Sequence, residues 1–239
     1  MLDLCRPAAE LLQLQQTLME QCFPASTVLL PSGAQVAVRQ CGQRSGKPSI
    51  VLLHGISSGA ASWLHPALLL AEHHHVLAWD APGYGESTPL SDTSPSAQAY
   101  AERLNELLQV QGITSCVLVG HSLGALMGAA YAAGAGRHWV QRLLRSSPAG
   151  GYGAADAADK RERVRDERRG ALRTLGVDGI AERIPARLLS DSASAADRAW
   201  VQWNASRLHA KGYLQAVELL CNSDQSARRP LDMPVAVNC

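Results

Sequence analysis

The sequence predicts an α/β protein: a mostly parallel sheet with helices on both faces and a block of extra helices after the sixth strand. Three observations carry this. Short apolar runs, Ile50-Val51-Leu52-Leu53, His75-Val76-Leu77-Ala78-Trp79 and Cys116-Val117-Leu118-Val119, suit strands covered on both faces. Helical patterns separate them, and strands alternating with helices indicate a parallel sheet. From about Ser147 such runs stop and patterns rich in Ala, Arg and Leu take over, until Pro234-Val235-Ala236-Val237 begins another strand.

Taken in order, residues 6–21 place Leu11, Leu12, Leu14 and Leu18 at near-helical spacing, and Phe23-Pro24 stops that helix. Thr27-Leu30 and Gln35-Val38 read as strands around the turn Pro31-Ser32-Gly33, an outer antiparallel hairpin. Gly42 to Pro48 is a polar link into the run at Ile50. His54-Gly55-Ile56 follows that run, and Trp63 to Ala71 reads as helix. The run ending at Trp79 leads into Asp80-Ala81-Pro82-Gly83-Tyr84-Gly85-Glu86-Ser87. A helix spans about Ser96 to Val110, then comes the strand at Cys116 with its helix, then a strand over Trp139 to Arg145.

Three parts result: a core at 1–148, a helical cap at 149–229, and the start of a seventh core strand at 230–239. The cap holds 14 Lys+Arg against 11 Asp+Glu. Its arginine-dense piece, Lys160 to Arg173, is interleaved with Glu162, Asp166 and Glu167, which reads as a solvated helix face. Trp200 to Cys221 reads as one cap helix carrying His209, with Asp191 and Asp197 upstream.

Composition limits the partners. With 239 residues, 46% hydrophobic and 18% charged, the chain can bury a sizeable core. A net charge of +1 gives no attraction to nucleic acid or to an anionic membrane. No run approaches the roughly 18 apolar residues of a membrane span, and Asp3, Arg6 and Glu10 interrupt any signal-peptide core. Cys5, Cys22, Cys41, Cys116, Cys221 and Cys239 show neither a C-x-x-C pair nor metal spacing. The expectation is a cytoplasmic protein with reduced thiols, no metal, no cofactor and a small-molecule substrate.

The chemistry concentrates at Gly120-His121-Ser122-Leu123-Gly124, between the strand at Cys116 and the helix pattern from Ala125. A strand that ends in Gly-x-Ser-x-Gly and turns at once into a helix puts its serine on a tight, strained turn. The glycines leave room where a Cβ would clash. The helix N-terminus then offers free N–H groups to a developing oxyanion.

His54-Gly55, Asp80-x-x-Gly83-x-Gly85-x-Ser87 and Gly120-His121-Ser122-Leu123-Gly124, in that order and spacing, resemble the α/β-hydrolase fold. The cap stretch from Arg163-Val164-Arg165 to Ile184-Pro185-Ala186-Arg187-Leu188-Leu189-Ser190 is most similar to bacterial hydrolases around 3-oxoadipate enol-lactonase and small carboxylesterases. The resemblance implies Ser122 as nucleophile and the backbone N–H groups of Ile56 and Leu123 as oxyanion-hole donors. It implies structural roles for His54 and His121, and makes Asp80 a tie within its turn. Trp63 and Tyr84 are candidates for lining the pocket, though core packing explains either equally well.

In that family the triad runs Ser, then Asp or Glu, then His, on later loops. After Ser122 only His138 and His209 remain, and the strand at Pro234 is followed by Cys239 as the last residue. The resemblance therefore implies a chain incomplete at its C-terminal end, with acid and base elsewhere. The leading expectation is a serine hydrolase of a small carboxylic ester or lactone. Alternatives are a C–C bond hydrolase of meta-cleavage products and, from another class, a non-catalytic hydrolase-fold binding protein or inactive product. Dehalogenases and epoxide hydrolases of this fold use an aspartate nucleophile, which Ser122 rules out.

Overall fold

The computed structural model describes residues 7–224 and 233–238. A seven-stranded sheet has the order β1-β2-β4-β3-β5-β6-β7. Its strands are β1 (Ala25–Leu29), β2 (Gln35–Cys41), β3 (Ser49–Leu53), β4 (Val76–Trp79), β5 (Cys116–His121), β6 (Val140–Ser146) and β7 (Val235–Asn238). β1 and β2 are antiparallel, as is β2 to β4; the remaining pairs are parallel. β2 is longer and more buried than an outer hairpin strand would be. Val38 to Cys41 pair with Trp79 to Val76, so β2 has neighbours on both sides.

Four helices belong to the core: α1 (Ala8–Cys22), α2 (Leu64–Ala71), α3 (Ala97–Val110) and α4 (Leu123–Ala133). Alternation along each strand sorts side chains to the two faces. Val51, Leu53, Leu77, Trp79 and Leu118 pack with Tyr100, Leu104 and Leu107 of α3 and Leu126 and Tyr131 of α4. Ile50, Leu52, Val76 and Ala78 pack with Met19 of α1, Phe23, and Leu64 and Ala67 of α2. Trp63 ends the 3-10 turn Ala60–Trp63 and packs into this second cluster.

Three further helices follow β6: α5 (Ala158–Leu188), α6 (Ala195–Ser206) and α7 (Ala210–Asn222). Two expectations are corrected here. Trp200 to Cys221 is two helices rather than one, because Leu208 bridges to the backbone of Tyr84 and ends α6. Asp197 serves the start of α6, where it forms a reciprocal capping box with Ser194. The arginine-dense face is also not wholly solvated. Arg165 and Arg169 pair with Glu218 of α7, a carboxylate only 4% exposed. A carboxylate that deep needs partners, so part of the α5 charge serves the α5–α7 contact.

The helical block is fastened to the core at two glycine contacts. A Cβ on Gly212 would lie 1.9 Å from the Gly83 carbonyl oxygen, so α7 starts directly on the turn after β4. A Cβ on Gly151 would lie 1.9 Å from the Ser223 carbonyl oxygen, which joins the entry and exit of the block. Among the described residues no helix is long and apolar enough to cross a membrane. Cys22, Cys41, Cys116 and Cys221 are free thiols, and burial pushes Cys116 up to about 12. Cys5 and Cys239 lie outside the described residues, as do 225–229 of the expected cap.

Candidate active site

Ser122 sits between the last residue of β5 and the first of α4, with φ 50° and ψ −114°. A non-glycine residue with positive φ is strained, and the surroundings must hold it there. They do so on both sides: the Ser122 N–H donates to Ser146 O at 3.0 Å, and Ser122 O accepts from Ala125 and Ala149 N–H at 3.1 Å. Gly120 and Gly124 allow the approach. A Cβ on Gly124 would stand 2.3 Å from Leu53 O, and one on Gly120 would stand 2.6 Å from Gly124 O.

The loop after β3 closes on the serine. A Cβ on Gly55 would be 3.2 Å from Ser122 Cβ and 3.1 Å from His121 Nδ1, so glycine lets the loop lie this near without displacing either side chain. Ile56 follows Gly55, and its carbonyl accepts the Tyr84 hydroxyl at 2.8 Å. Among the described residues the N–H groups of Ile56 and Leu123 donate to no protein acceptor. For Leu123 this follows from its place at the head of α4, whose first N–H groups lack intrahelical partners. One of these free donors directly follows the serine, and the other follows the glycine that packs on it.

The nearby polar side chains are committed to architecture. His54 is buried, with Nδ1 donating to Gly55 O at 2.8 Å and Nε2 accepting from Ala81 N–H at 2.9 Å. Burial holds it below the ordinary imidazole value, outweighing the nearby Asp80 charge, so it stays neutral. Burial likewise lowers His121. Asp80 Oδ1 accepts from Ala60 N–H at 2.7 Å, and Ser87 Oγ links Asp80 O to Ala37 N–H. Asp80 thus ties the turn after β4 to the start of the 3-10 turn, as expected.

The two pocket candidates are both packed. Tyr84 is 1% exposed, stacks edge-on against His54 and uses its hydroxyl on the Ile56 loop. Burial raises its pKa well above the ordinary phenol value. Trp63 lies among Leu64, Ala67 and their neighbours rather than beside Tyr84.

Among the described residues Ser122 Oγ has no hydrogen-bond partner, so none brings it an imidazole or a carboxylate. His209 caps α7 and spends Nε2 on Gly85 O at 2.8 Å. His138 precedes β6, at the end of the sheet opposite the serine.

Sequence comparison places this geometry among known proteins. The sequence model of the Alpha/beta hydrolase family matches residues 50–236. An (E)-2-((N-methylformamido)methylene)succinate hydrolase of Acinetobacter baylyi is 32% identical over 85 residues, 36% of this chain and 32% of that protein. Lipase 1 of Psychrobacter immobilis is 32% identical over 108 residues, 45% of this chain and 33% of that protein. These matches span about a third of the relatives' length. The enol-lactonase of Burkholderia xenovorans superposes with a TM-score of 0.75 at 20% identity, covering 89% of this chain and 80% of that one. An esterase of Thermogutta terrifontis gives 0.70 at 21%, covering 89% and 78%. The chain belongs to the alpha/beta hydrolase family.

Proposed function

We propose that the chain is a serine hydrolase that cleaves a small carboxylic ester or lactone through an acyl-enzyme on Ser122. The observation that carries this is the strained Ser122 backbone, followed by the free Leu123 N–H and packed against the Gly55-Ile56 loop. In the first step Ser122 Oγ attacks the carbonyl carbon and gives its proton to a base. The Ile56 and Leu123 N–H groups hold the resulting oxyanion, each contributing about 3–4 kcal/mol of barrier lowering. The C–O bond to the alcohol then breaks, the alkoxide takes up a proton, and water hydrolyses the acyl ester. Residues 149–229 serve as the cap that shapes the substrate site. Relatives matched in sequence that are named as a lipase and as a succinate-derivative hydrolase support this reading.

The described residues supply a nucleophile and donors but no base, so p-nitrophenyl acetate should be turned over slowly. Imidazole in solution should take the proton instead. A positioned base contributes about 10²–10⁴-fold; diffusing imidazole should recover about tenfold over its own background. Ser122→Ala should stay at the background rate while keeping its circular dichroism. Equal rates for the two proteins with imidazole present would overturn the assignment and favour a non-catalytic binding protein.

A further inference from the structure

A cavity of about 420 Å³ opens between the first half of α5, α7 and the loop at Thr93. That volume suits a small organic molecule. No residue of the Ser122 turn or of the Gly55-Ile56 loop lines it, so it is separate from the proposed catalytic site.

Its base is fixed by two buried side chains of α7. Gln215, 1% exposed, donates through Nε2 to the carbonyls of Leu90 at 2.8 Å and Asp92 at 2.5 Å. Glu218 accepts from Arg165, Arg169, the Ser94 hydroxyl at 3.3 Å and the Asn222 amide at 3.4 Å. The loop before α3 is thereby laced to α7, and with four donors on its two oxygens the Glu218 carboxylate is satisfied.

The cations around this base are not. Arg173 stands one turn beyond Arg169, and like charges four residues apart repel on a helix. Lys211 stands in the first turn of α7, where a cation opposes the helix dipole and no acidic residue offsets it. Among the described residues neither Arg173 nor Lys211 makes a hydrogen bond or ion pair. Asp166 is the other carboxylate of the lining, so three cations face two carboxylates. Leu172 and Leu214, both partly buried, give the cavity apolar walls.

A ligand with an apolar body and one negative head matches this lining. The head would relieve both unpaired cations, and a guanidinium holds a carboxylate through two parallel hydrogen bonds. We propose that the cavity is a binding site, apart from Ser122, for a small amphipathic carboxylate such as a medium-chain fatty acid anion. Arg173 and Lys211 hold its carboxylate, and its chain lies on Leu172 and Leu214.

Octanoate and its neutral counterpart octanamide should be titrated calorimetrically into the chain. Octanoate should bind at least about tenfold tighter, and less so as salt is added, because screening weakens charge attraction. Arg173→Gln/Lys211→Gln should remove about tenfold of the octanoate affinity and leave octanamide unchanged. Arg163→Gln, exposed on the same helix but outside the cavity, should lose none. Leu214→Gln should weaken both ligands about threefold, since both place the same chain on it. If the double variant does not fold, Lys211→Gln alone should still lose about threefold for octanoate. Equal binding of the two ligands, no binding of octanoate, or unchanged octanoate affinity in the variants of Arg173 and Lys211 would each overturn the proposal.

Discussion

Gly124→Ala should prevent the strand, turn and helix at Ser122 from closing. The new Cβ would meet Leu53 O at 2.3 Å and His54 O at 2.8 Å, both backbone atoms at the end of β3. Backbone cannot swing aside as a side chain can, and β3 is locked between β4 and β5. Overpacking a core typically costs about 1–3 kcal/mol, and a clash between main chains belongs at or above the top of that range. For a chain of this size that lowers the melting temperature by roughly 10 °C. Gly170→Ala is the matched control, since a Cβ there meets nothing within 4 Å on α5. It should stabilise by about 0.5–1 kcal/mol, because alanine loses less entropy on entering a helix. Thermal unfolding followed by circular dichroism measures both. An unshifted Gly124→Ala melt would contradict the packing described for the turn.

The second large effect concerns β7. Among the described residues it pairs with β6 on one side only, all four of its residues are exposed, and Val235 and Val237 are 42% and 55% exposed. Such an edge offers free N–H and C=O groups and apolar side chains to another chain. The polypeptide of residues 1–239 should therefore self-associate and bind hydrophobic dyes. Val237→Lys should reduce both, since a lysine on an edge strand opposes further pairing. Light scattering coupled to size exclusion checks this. A monomer that melts cooperatively and binds no dye would contradict it. α1 does not change this expectation, because it docks through Met19 on the Ile50–Leu52 face and beside Trp200 of α6.

Much of the core was legible in the sequence because its signals are local. Unbroken apolar runs mark strands buried on both faces, and the three glycine-bearing motifs at their ends mark turns that a Cβ would block. Asp80 ties its turn, as its motif implies. What escaped depends on distant contacts. The break between α6 and α7 comes from Leu208 meeting Tyr84, residues far apart in sequence. The break in α5 at Gly176, where φ is 65° and ψ −174°, hides in an otherwise helical pattern, although a glycine inside such a pattern is itself a signal to weigh. The pairing of Arg165 and Arg169 with Glu218 depends on where α7 lies. Trp63 shows the same limit: an aromatic near a site motif cannot be assigned to core or pocket until the fold places it.

We propose Ser122 as a nucleophile assisted by two oxyanion donors, the N–H groups of Ile56 and Leu123. The most direct measurement is peptide mapping by mass spectrometry after treating the chain with a fluorophosphonate in the presence of imidazole. A single phosphonyl adduct on the peptide containing Ser122, absent from Ser122→Ala, is the expected result. A folded chain that carries no adduct, or carries it on another serine, would contradict the claim.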